Sequence, residues 1–135
     1  MELYAGPSLA RYSFGDGHPF GPDRFDVFWE RVQHTGLADR AEIREPRQGT
    51  RNDLLLFHTE DYINRVAALS HVGRGMLDPD TPVFTGIYEA ALTVVGTVLE
   101  AVSRVMDGSA RTAFVPIAGL HHAHPDHSSG FCVFN

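Results

Sequence analysis

Lysine is missing altogether: all 11 basic residues are arginine, set against 17 acids for a formal charge of -6 at pH 7. We read the missing lysine as a coding bias, not as function. A net-negative chain without a basic block has no global field to draw it to nucleic acid. Cysteine is nearly missing too. Cys132 stands alone, which excludes an intrachain disulfide framework and suits a reducing compartment. There is no long uncharged apolar run. The most apolar stretch, Ile87 to Met106, carries Glu89, Glu100 and Arg104, which are costly in lipid. The start, Met1 to Pro7, lacks the basic and apolar regions of a secretory signal. No internal repeat or low-complexity segment appears. We expect a soluble, cytoplasmic protein with neither membrane nor nucleic acid as partner.

What is present reads as one domain. The 135 residues, 43% hydrophobic and 21% charged, match globular averages and are enough chain to bury a core without an internal boundary. Leu3-Tyr4 reads as an opening strand broken by Gly6-Pro7. Tyr12 to Pro22 holds too many glycines and prolines for a helix or central strand, so it should be a loop with aromatic anchors. Pro22 suits a first helical position; Phe25, Phe28, Trp29 and Val32 recur at helical spacing as core, and the helix should stop before Gly36.

Further along, Ala41 to Glu45 alternates like a half-buried strand. Thr50 and Thr59 each stand ready to cap a helix, with acids in the turn that follows. Ile87 to Val105 is apolar nearly all round and should be a buried helix. Thr112 to Val115 reads as a buried strand ended by Pro116, and Phe131 to Asn135 as another. Helices alternating with short apolar strands predict an α/β layer on a parallel sheet. A chain that stops inside an apolar strand reads as the front portion of a longer domain.

The chemistry concentrates near the end. Four of the 8 histidines, His121, His122, His124 and His127, share one loop with Asp126, just after a predicted strand, where α/β folds place ligand loops. One reading is a metal centre. His122, His124, Asp126 and His127 fit the H-x-H-x-D-H pattern of metallo-β-lactamase-type hydrolases, in which imidazoles converge on zinc. The long helices before the pattern and Ser128-Ser129 after it do not suit that fold.

The other reading rests on dispersed motifs: Tyr12-Ser13-Phe14-Gly15 with Gly17-His18-Pro19-Phe20 and Arg24, Phe57 to Ile63, Asp80 to Phe84, Gly119 to Ala123 and Ser129 to Asn135. Through these the chain resembles the zinc-dependent histone deacetylase family, most closely its bacterial acetoin utilization members. The resemblance implies an arginase-like α/β fold of which residues 1–135 are the N-terminal portion. It also implies hydrolysis of acetyl-lysine or a related acylated amine. His121 and His122 would be the catalytic pair, one accepting water's proton while the other stays charged or donates. Gly130 and Phe131 would line a narrow substrate tunnel, and Asp80 would be a rim acid binding substrate. Zinc would be held by ligands downstream of Asn135, with none from this chain, so these residues alone should be inactive. The remaining C-terminal part of the domain is the partner this implies.

Blander roles stand beside these. Asp80 sits in turn chemistry, Phe131 and Cys132 would suit a core or wall, and His18 and Arg24 would order the first loop, Arg24 also lining a cavity. His58 should be structural, and His34 and His71 surface residues. A non-catalytic, truncated subunit is the third alternative.

Overall fold

The computed structural model describes residues 1–135. Its centre is a parallel three-stranded sheet. Strand β1 (Glu2–Tyr4) lies in the middle, with β2 (Glu42–Arg44) on one side and β5 (Ala113–Phe114) on the other. Leu3 aligns with Ile43 and Phe114, so those three share one face, while Glu2, Glu42 and Ala113 share the other.

Helices take both faces, as expected. Helix α5 (Ile87–Met106) lies on the Glu2 face, where Arg104 donates to the Glu2 carboxylate at 2.6–2.9 Å. Helix α2 (Asp23–His34) reaches the opposite face, where Phe28 stacks on Phe114. The short α1 (Pro7–Ala10) and α3 (Arg51–Leu54), with α4 (Glu60–Val72), pack around α5 or α2. Between α4 and α5 runs an antiparallel hairpin, β3 (Met76–Asp78) and β4 (Thr81–Pro82). Leu9, Tyr12, Ile63, Val66, Ile87, Val133 and Phe134 form the heart of the core.

Caps set the helix boundaries. Thr50 and Asp53 make a reciprocal capping box, and Thr59 accepts the Tyr62 amide to start α4. Helix α4 stops at Gly73, whose φ of 70° is the left-handed cap glycine supplies cheaply.

Several expectations need correction. Pro22 is the cap before α2 instead of its first residue, and Pro7 opens α1 where only a break was expected. Both outer strands are edges, so Glu42 and Ile43 are exposed and Phe114 is 48% exposed, not buried. Helix α5 buries one broad face but exposes Val102, Val105 and Met106 beyond the sheet. The stretch from Phe131 to Asn135 is buried at Cys132, Val133 and Phe134 yet pairs with no strand. Its apolar run belongs to a core loop, which apolarity alone does not distinguish from a strand.

Candidate active site

The loops that follow β1 and β5 leave the same end of the parallel sheet, the end where α/β folds gather ligands. The first carries Tyr12, Phe14 and His18; the second carries every residue from Gly119 to Asn135.

His121 and His122 lie side by side, ring centroids 4.3 Å apart and planes tilted 36°. His121 Nδ1 lies 2.7 Å from the Gly119 carbonyl oxygen. A carbonyl can only accept, so this contact suits a proton on Nδ1. Asn135 steadies this loop: its side-chain Nδ2 donates to the carbonyls of His121 and Ala123 at 3.4 and 3.3 Å.

Gly130 lies directly over His122. A Cβ there would come within 3.2 Å of the imidazole Cγ, and the φ of +55° already favours glycine. The next residue, Phe131, sets its ring edge-to-face against His18 at 4.6 Å. His18 Nε2 in turn sits 3.3 Å from the Asp80 carbonyl oxygen. His121, His122, Gly130, Phe131 and Asp80 thus form one continuous surface, with His18 as the link between the last two. Both histidine side chains are exposed.

Asp78, not singled out by sequence, is the hub beneath the rim. Its carboxylate accepts from the Asp80 amide at 2.9 Å, Thr81 Oγ1 at 2.7 Å and Ser128 Oγ at 2.6 Å. Burial alone would raise its pKa; interactions with Asp80, Ser128 and Thr81 override that and hold it at about 2. Asp80 moves the other way, raised first by its interaction with the neighbouring Asp78 carboxylate. Arg24 stacks over Phe20, its guanidinium 4.4 Å from the ring centre. It also lines a cavity of about 740 Å³ with Phe28, Phe114, Ile117 and Gly119.

The loop histidines do not make a metal centre. His124 and His127 stack on each other at 4.3 Å, Asp126 pairs with His127 Nδ1 at 2.7 Å, and His122 turns to His121 instead. No group of three His, Cys, Asp or Glu side chains could hold a metal ion. The backbone bond from the His124 amide to the His127 carbonyl folds the motif back on itself.

Residues 18–135 match the histone deacetylase domain model. The chain belongs to the histone deacetylase family. It is 36% identical to the acetoin utilization protein AcuC of Bacillus subtilis over 96% of its own length and 35% of that protein's. It is 29% identical to the histone deacetylase RPD3 of Saccharomyces cerevisiae, covering 94% of this chain and 31% of the yeast protein. The crystal structure of the HDA15 HD domain superimposes over the whole chain with a TM-score of 0.89 at 20% identity, using 41% of that domain's chain. The deacetylase-type α/β fold is therefore present in its N-terminal part. The chain spans about a third of the length of the curated relatives it matches.

His58, Tyr12 and Tyr62 are the supporting residues that sequence reasoning passed over or left as structural. His58 Nε2 accepts the Asn135 amide at 2.9 Å, and Tyr62 Oη donates to the Val133 carbonyl at 2.7 Å. Only their presence in the shared motifs, beside no partner in sequence, could have flagged them.

Proposed function

We propose that these residues are part of a zinc-dependent amidohydrolase that removes acetyl groups from acetyl-lysine or a related acylated amine. The observation that carries this reading is the side-by-side His121–His122 pair with His121 Nδ1 placed 2.7 Å from the Gly119 carbonyl oxygen, an arrangement that suits a proton on Nδ1 and leaves Nε2 able to accept one beside the His122 ring. In this reading His121 and His122 move the proton between water and the leaving amine. Gly130 brings the backbone close to a slim alkyl chain, Phe131 offers it an apolar face, and Asp80 at the rim accepts hydrogen bonds from the substrate backbone.

A zinc ion held by the remaining part of the domain would supply Lewis acidity to the scissile carbonyl and water. No group of His, Cys, Asp or Glu side chains here fits it as a ligand set, and in this proposal its ligands belong to the remaining part of the domain. The missing closure over the exposed imidazoles comes from there as well, and the chain's one-third coverage of its relatives leaves ample room for both. The partner in this proposal is that remaining part of the domain, and a cytoplasmic setting is in keeping with it.

The test joins residues 1–135 to the portion of the Bacillus subtilis protein that lies beyond its matched third. We expect zinc-dependent release of acetate from acetylated amines, falling at least about 100-fold on His121→Ala or His122→Ala. A folded, zinc-loaded assembly inert on a broad panel of acetylated amines would overturn the proposal.

A further inference from the structure

Phe131 occupies a backbone conformation that an aromatic residue does not choose. Ser129 and Cys132 exchange backbone hydrogen bonds, the Cys132 amide to the Ser129 carbonyl at 2.9 Å and the Ser129 amide to the Cys132 carbonyl at 3.3 Å. Between them Gly130 and Phe131 have φ of +55° and +67°. Two consecutive positive φ values inside a two-residue hairpin describe a turn for which glycine and asparagine are the usual occupants. A bulky residue pays strain there and stays only if its surroundings impose the geometry.

The imposing group is on the page. Tyr12 is 1% exposed, and its Oη donates to the Phe131 carbonyl at 2.6 Å while accepting the Val133 amide at 3.0 Å. One hydroxyl therefore holds the backbone on both sides of Cys132. The Tyr12 ring is itself fixed edge-on by Phe14 and Phe20 at 5.6 Å each. Phe14 also flanks the Phe131 ring, 6.4 Å away. Burial pushes the Tyr12 phenol above its ordinary pKa, so the donated proton is present throughout the working range.

We propose that Tyr12 is the positioning residue that holds Phe131 in its left-handed turn and so aims the aromatic wall of the substrate channel. The channel itself rests on the functional reading above; the clamp does not. Tyr62 provides a matched control, because its hydroxyl is bonded to the same segment at the Val133 carbonyl without touching Phe131.

The experiment compares Tyr12→Phe with Tyr62→Phe in the chain itself by NMR, reading the His18 ring resonances and the Val133 amide exchange rate. The His18 ring lies against Phe131 and reports the position of that ring through its ring current. We expect Tyr12→Phe to move the His18 resonances and to speed Val133 exchange at least about tenfold. Tyr62→Phe should leave His18 where it is. Unmoved His18 signals in Tyr12→Phe, or an equal shift in both variants, would overturn the proposal. Should Tyr12→Phe not fold, combining it with Phe131→Gly removes the strain that the clamp opposes. The double variant is then expected to fold, and its failure would also overturn the proposal. A joined domain that hydrolyses nothing while His18 still follows Tyr12 removes the channel reading and leaves the clamp standing.

Discussion

At the scale of single residues, the site depends on small groups placed where larger ones would collide. A methyl on Gly130 would press on the His122 ring at 3.2 Å, and the φ of +55° adds strain. Gly130→Ala is expected to destabilise by about 1–2 kcal/mol from the left-handed backbone alone and to tilt the His122 ring. Thermal unfolding and the imidazole resonances check the two effects separately. His58 makes a different kind of demand. It is 4% exposed, and its Nδ1 has no hydrogen-bond partner. Burial lowers its pKa below the ordinary histidine value, so the folded chain binds fewer protons there than the unfolded one. That contribution to stability is complete above the unfolded pKa and declines as pH falls below about 6.5. We expect the melting temperature to drop between pH 7 and pH 5, and the drop to shrink in His58→Gln. The candidate pair at 121 and 122 was legible from its motif, as were Gly130 and Phe131. His58 was rightly read as structural, but its partner and those of Tyr12 and Asn135 were not legible, because their roles are bonds to backbone atoms distant in the chain.

At the scale of elements, two joints hold the sheet and its helices together. Glu2, in the central strand, is 3% exposed and lies between Arg104 of α5 and Arg44 of β2, at 2.6 and 2.8 Å. The Arg104 hydrogen bonds, then those of Arg44, outweigh burial and lower its pKa to about 2. A depressed carboxylate stabilises above its unfolded pKa and loses that contribution as pH falls toward 2. The difference in melting temperature between the native chain and Glu2→Gln should therefore be full at pH 6 and shrink from pH 4.5 to pH 2. The second joint is a backbone contact. A Cβ on Gly96 of α5 would collide with the backbone nitrogen of Gly49, whose amide donates to the Leu92 carbonyl at 3.1 Å. Gly96→Ala should cost on the order of 1–3 kcal/mol or more, since backbone has little freedom to yield, measurable by urea unfolding. Helices were the readable elements, because caps at Thr50 and Thr59, the stop before Gly36 and the spacing of Phe25 and Val32 are local signals. Strands β1, β2 and β5 were placed closely in sequence though the exposure of the outer two was misjudged, while the β3–β4 hairpin went unread and Phe131 to Asn135 is no strand. Whether a strand is an edge depends on its neighbours, and that is not written in its own residues.

At the scale of the whole molecule, the proposed reading gives these residues one wall and the proton-handling pair of a deacetylase-family site. The opposing wall and the metal ligands lie outside them in the reading proposed here. The exposed faces agree with such a division: β5 has a free edge, and Val102, Val105 and Met106 of α5 stand uncovered beside it. The loop histidines at 124 and 127 give a chemical check, because stacked rings paired to Asp126 make a poor chelate. Metal analysis of the purified chain should find no stoichiometric zinc, and His124→Ala should change nothing in that measurement. The most direct measurement is acetate release by the joined domain, with and without the double change of His121 and His122 to alanine. We expect turnover of acetylated amines that requires zinc and disappears in the double variant. Undiminished turnover without either imidazole would contradict it.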